Sequence, residues 1–142
     1  MFEREFFMRE TQLLAQAVGN VITKKKKKQY DEALEDAEKA LSQFFKTDTH
    51  TLRSRTSDEI IEMCMENGSF FNEKGLPLAD LLMEVGDIMD DLDKREAAIG
   101  WYQKSLSLYQ AAVKNTDSVL PLDIYTRIQQ IQKTIHDLES GE

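Results

Sequence analysis

The chain has 142 residues, a length suited to one domain with a core of its own. Apolar residues make up 41% and charged residues 31%, with 2 prolines and 6 glycines, which suits long amphipathic helices and excludes a chain built of membrane spans. The formal net charge is −8, yet five lysines stand together at Lys24–Lys28; the remainder therefore carries −13, which repels phosphate backbones and argues against nucleic-acid binding.

The chain opens Met1-Phe2-Glu3-Arg4-Glu5, with two acids and no lysine-led apolar run, and predicts no secretory leader. A first helix is predicted from about Phe2 to the lysines, with Phe7, Leu14, Val18, Val21 and Ile22 at helical spacing. Its uncharged stretch from Thr11 to Thr23 holds Gln12, Gln16 and Asn20, too short and too polar to cross a bilayer. The lysines fall at its end, where the helix dipole favours positive charge. Tyr30, Leu34, Ala37, Leu41 and Phe44 mark a second helix beside a small-residue stripe of Ala33, Ala37 and Ala40. Thr47 to Thr56 lacks periodicity and reads as a loop. Ser57-Asp58-Glu59 then reads as a helix start, with Ser57 as N-cap, and Asn67-Gly68 as that helix's end. Gly75-Leu76-Pro77 reads as a second break. Leu78 to Leu92 is the next helix, joined by a turn at Asp93-Lys94 to another over Arg95 to Lys114. After a loop at Asn115–Leu120, Pro121 opens the last helix, where Ile124, Ile128, Ile131, Ile135 and Leu138 step by four and three like a coiled-coil seam. No segment alternates cleanly between apolar and polar residues, so no sheet is expected.

The pattern of residues 30–41 recurs at 95–106, each copy preceded by a glycine-bearing amphipathic helix, with Gly19 or Gly86. Leu82, Val85, Gly86 and Met89, followed by Ala98, Tyr102 and Ser105, resemble a tetratricopeptide repeat over about thirty-four residues. Gln110 stands where that family usually has its final proline. Val18-Gly19-Asn20 with Ala33, Ala37 and Ala40 resembles it less closely. There the turn reads as about two residues too long, and alanine replaces the aromatic. The whole chain also resembles a family of small uncharacterised proteins from Gram-positive bacteria, through the opening Arg4-Glu5-Phe6-Phe7-Met8-Arg9. The repeat resemblance implies an all-α fold: antiparallel helix pairs in a short right-handed stack, with the last helix as cap. On that reading 1–142 is one helical domain, with a first pair at 1–46, a degenerate segment at 57–76, a second pair at 78–114 and a capping helix at 121–139.

The resemblance also implies a groove lined by the first helix of each pair. In the second pair this gives Asp80, Met83, Asp87, Asp90 and Asp91, an acidic strip that repels a peptide carboxylate and favours a basic partner. The alternative is a solvated acidic face. Asp87, Asp90, Asp91 and Asp93 lack the spacing and turn glycine of a calcium loop, so no metal and no cofactor are expected. The lysine run reads as a solvated turn, with an anion site as the alternative. Cys64, the one cysteine, reads as a buried structural residue and excludes an intrachain disulfide. His50 and His136 stand alone and suggest no acid–base pair. Phe2, Phe6, Phe7 and Met8 are an apolar cluster that either packs on the domain or forms a homodimer or partner surface. The function expected is therefore non-catalytic and cytoplasmic: a module presenting a helical groove to a protein or peptide. A homodimeric structural or regulatory subunit, joined by its terminal helices, is one alternative. An enzyme with an unrecognised carboxylate site is another.

Overall fold

The computed structural model describes residues 2–115 and 119–141, with side chains from Met8 onward. The fold is all-α but for one minimal hairpin. Its elements are α1 (Phe2–Lys26), α2 (Tyr30–Phe45), α3 (Thr49–Ser54), α4 (Ser57–Met63), β1 (Met65–Glu66), β2 (Ser69–Phe70), α5 (Asn72–Asp91), α6 (Arg95–Lys114) and α7 (Ile124–Glu139). No helix among the described residues is long and apolar enough to cross a membrane.

Two helical hairpins, α1/α2 and α5/α6, make the body, and α5 with α6 forms the most extensive interface. The hairpins join through α1 against α5, while α4 and α7 pack on α6. The core between them is apolar, with Val21, Leu41, Leu78, Leu82, Val85, Ile88 and Leu108 fully buried. Of the α7 stripe, Ile124 and Ile131 are buried, while Ile128, Ile135 and Leu138 are partly covered.

The two hairpin turns have the same construction. After α1, Lys28 takes φ 61°, Lys28 N–H bonds the Lys25 carbonyl and Gln29 N–H bonds the Lys24 carbonyl. After α5, Asp93 takes φ 60°, with N–H bonds from Asp93 to Asp90 and from Lys94 to Met89. Orphan carbonyls at each helix end are thus satisfied through one left-handed residue. The basic turn is therefore not lengthened: Lys24, Lys25 and Lys26 belong to the last turn of α1. Lys28 matches Asp93, and each position of the first hairpin recurs 65 residues later. Val21, not Gly19, is then the counterpart of Gly86.

Five other expectations are corrected. The Thr47–Thr56 segment contains α3, nucleated by Asp48, whose carboxylate accepts from Thr51 N–H. The α4 N-cap is Thr56, not Ser57; its hydroxyl accepts from Glu59 N–H while the Glu59 carboxylate accepts from Thr56 N–H, a reciprocal capping box. Asn67-Gly68 does not end a helix but turns a two-stranded ladder, pairing Met65 with Phe70 and Glu66 with Ser69. Both turn residues have positive φ, 52° and 80°, which this tight turn requires. Gly75-Leu76-Pro77 lies inside α5, which begins at Asn72. Phe70 lies against Gly75 so closely that a Cβ there would collide with the ring. Pro77 sits just past the first turn, so the helix forfeits one backbone bond and continues. The last helix begins at Ile124, leaving Pro121 in the preceding segment.

Candidate functional site

The residues expected to line a groove lie on α5, and neighbouring helices reach most of them. Asp80 accepts hydrogen bonds from the Tyr109 hydroxyl on α6 and from Arg127 Nη1 on α7, the latter at 2.9 Å. Arg127 Nε also donates to Asp123 Oδ2 at 2.9 Å. Asp87 accepts from the Tyr102 hydroxyl on α6 and from Lys25 Nζ on α1, the latter at 2.8 Å. Asp91 accepts from the Tyr30 hydroxyl at 3.0 Å. Met83 is half-buried and packs against the core. Asp90 is half-exposed and Asp91 exposed.

Sequence spacing explains the repetition. Asp80 and Asp87 are seven residues apart on α5, and Tyr102 and Tyr109 seven apart on the antiparallel α6. Seven residues are close to two helical turns, so both pairs meet across one seam. Each carboxylate takes one phenol from α6 and one cation from a third helix. The α5 acids thereby tie α1 at one end and α7 at the other.

Between them lies Glu84, only 4% exposed. Lys25 Nζ stands 2.5 Å from its Oε1 and supplies the compensating charge. Burial holds the Glu84 carboxyl above its ordinary range against the pull of Lys25. Burial likewise raises Asp80, opposed by Tyr109 and Arg127. For Lys25, burial alone would lower the ammonium's proton affinity, but Asp87 and Glu84 more than offset it and the net shift is upward. Asp90 is raised by partial burial and then by the charges of Asp91, Asp87 and Asp93.

The lysine run divides by role. Lys24 pairs with Asp36 at 2.6 Å and Lys25 with the α5 acids, while Lys26, Lys27 and Lys28 are exposed. Phe2, Phe6 and Phe7 lie outside the residues whose side chains are described, and Met8 is 57% exposed. Cys64 is buried, its thiol pushed up to about 12 by desolvation, which makes it a poor nucleophile. His50 and His136 are exposed on separate helices. Among the described residues no three His, Cys, Asp or Glu side chains gather to hold a metal ion. Sequence reasoning missed Lys25, Tyr102, Tyr109 and Arg127 as partners of the acids and Glu84 as the buried acid between them; for the two tyrosines the shared seven-residue spacing on α5 and α6 was the available signal.

Comparison with protein-family models, curated proteins and solved structures finds no match to this chain.

Proposed function

We propose that the chain is a non-catalytic interaction module whose α5 face receives a peptide or helix carrying basic and apolar residues. The observation that carries this reading is Asp90. Asp80, Asp87 and Asp91 each have a phenol or a cation bonded to them, whereas Asp90 is half-exposed, its proton affinity raised by partial burial and then by the neighbouring acids. A carboxylate so placed gains from an incoming lysine or arginine. Half-buried Met83, two turns away, supplies an adaptable apolar contact. Reading the hairpins as tetratricopeptide-like, in a short stack capped by α7, is supported by their identical turns. The close fit of Gly86 against Tyr102 supports it too: a Cβ there would lie 2.8 Å from the ring. A cytoplasmic location belongs to the same proposal and is supported by a single, buried cysteine.

Titration with a lysine-rich peptide and an acidic-tailed peptide tests the reading. The lysine-rich peptide binds more tightly, and Asp90→Asn weakens it. Tighter binding of the acidic-tailed peptide would refute the proposal.

A further inference from the structure

The turn between β1 and β2 sets an unengaged electrophile beside an unengaged nucleophile. Asn67 and Gly68 are both exposed, with φ 52° and 80°. Among the described residues the Asn67 side-chain amide has no hydrogen bond. The Gly68 N–H stands outside the ladder, which pairs Glu66 with Ser69 and Met65 with Phe70. A Cβ on Gly68 would meet nothing within 4 Å, so the space around its nitrogen is open. The chain's other asparagines are held differently. Asn20 lies within α1 ahead of β-branched Val21. Asn72 is 3% exposed and donates to the Ala112 carbonyl, and Asn115 donates to the Phe70 carbonyl at 2.6 Å.

We propose that Asn67-Gly68 is a self-modification site, at which the folded chain converts an asparagine to aspartate and isoaspartate with water as the only co-reactant. The Gly68 nitrogen attacks Asn67 Cγ, and the new N–C bond closes a succinimide. The Cγ–Nδ2 bond breaks, and the proton from Gly68 leaves with the amide nitrogen as ammonia. Water then opens the ring. Attack at Cγ gives aspartate, and attack at the main-chain carbonyl carbon gives isoaspartate, with the chain running through the side chain. Glycine permits the first step because it has no Cβ to obstruct its nitrogen. The backbone rotation that ring closure needs comes from opening the turn, and strands of two residues resist that weakly. Isoaspartate lengthens the main chain inside the turn and cannot supply the two left-handed residues that it requires. The change stays local. Phe71 N–H still bonds the Cys64 carbonyl at 2.8 Å, and the Phe70 ring remains against Gly75. The proposal is independent of the α5 face, which lies on other residues.

Incubation of the full chain in mildly alkaline buffer tests it. Fragment-ion mass spectrometry follows each asparagine, and an isoaspartate-specific carboxyl methyltransferase labels the β-linked product. Asn67 converts at least about tenfold faster than Asn20, Asn72 or Asn115, because only Asn67 precedes a glycine. Its rate in the folded chain stays within about tenfold of its rate in the urea-unfolded chain, because the short ladder opens at little cost. Asn67→Gln removes most of the methyl acceptance. Stronger protection of Asn67 in the folded chain, comparable conversion of the other asparagines, or retention of most methyl acceptance in Asn67→Gln would each overturn the proposal.

Discussion

Lys25→Met is the sharpest test of the ion pairs that tie α1 to α5. Methionine keeps an apolar stem of similar length and removes only the charge, leaving Glu84 at 4% exposure without a counter-ion. Breaking a fully buried pair costs about 3–5 kcal/mol. Here the Lys25 side chain is 18% exposed and Asp87, its second partner, 34% and still bonded to Tyr102, so the expected loss is smaller. Protonation sets a ceiling. An unfolded glutamate with the ordinary value of 4.5 can be neutralised near pH 7 for about 3.4 kcal/mol and near pH 5 for about 0.8 kcal/mol. Glu84 in the variant accepts a proton rather than remain charged and unpaired. The destabilisation should therefore be about 2–3 kcal/mol near pH 7, lowering the urea midpoint by about 1 M or more. It should shrink below about 1 kcal/mol near pH 5. The sign follows from linkage: a carboxyl raised in the fold binds its proton more tightly there than in the unfolded chain, so stability is gained as pH falls through the folded value. Glu84→Gln in the Lys25→Met background should recover about 1.5 kcal/mol near pH 7, since the buried charge is then gone. Urea denaturation of the wild-type chain, the Lys25→Met variant and the double variant at both pH values measures each quantity. A Lys25→Met penalty under about 0.5 kcal/mol, or one equal at the two pH values, would refute the argument.

Tyr109→Phe removes the phenol that donates to Asp80 and should cost about 1.5 kcal/mol in the same assay, the lower end for a bond to a charged acceptor because Asp80 keeps Arg127. Gly86→Ala should destabilise by about 1–3 kcal/mol by driving a Cβ into the Tyr102 ring. Gly19→Ala, with nothing within 4 Å of the new carbon, should stabilise α1 by about 0.5–1 kcal/mol; melting temperatures moving together in the two variants would contradict this contrast. Cys64, buried with its thiol near 12, should resist alkylation in native buffer and react only as fast as the chain opens, so rapid labelling of the folded protein would count against its burial.

The long elements were legible because hydrophobic spacing alone specifies them. Leu14, Val18 and Val21 on α1, and Leu78, Leu82 and Val85 on α5, are buried as their periodicity demands. The short ones were not, because local chemistry decides them. Asn67-Gly68 is a strong hairpin signal as well as a helix stop, and the flanking strands of two residues are too short to show alternation. Pro77 and Gly75 read as a break, yet the ring of Phe70 fills the space that a side chain at residue 75 would need. Six residues cannot display a 3.6 period, so α3 was visible only through Asp48 as a cap. Of the site, the acids were legible and their partners were not, since Lys25 and Arg127 reach α5 from helices 62 and 47 residues away.

The equivalence of the two hairpins shows how the phenol–carboxylate bonds come to be confined to one of them. A step of 65 residues carries Asp80 back to Ala15 and its phenol Tyr109 to Phe44; it carries Asp87 to Ile22 and Tyr102 to Ala37. Glu84 returns to Gly19. Both halves of each bond are missing together in the first hairpin, as the cost of a half-satisfied buried polar group requires. The contact at Gly86 is exchanged in the same way: glycine facing tyrosine in the second hairpin corresponds to Val21 and Ala37 in the first, where the bulk has moved from one helix to the other. The first hairpin is held by apolar packing and by the Lys24–Asp36 ion pair at 2.6 Å between α1 and α2, and it contributes Lys25 and Tyr30 to α5 from its turn-proximal end. A binding face built on α5 therefore draws its charge from the second hairpin and its fixed geometry from α1 and α7. Loss of either flanking helix's cation should loosen the face without removing an acid from it.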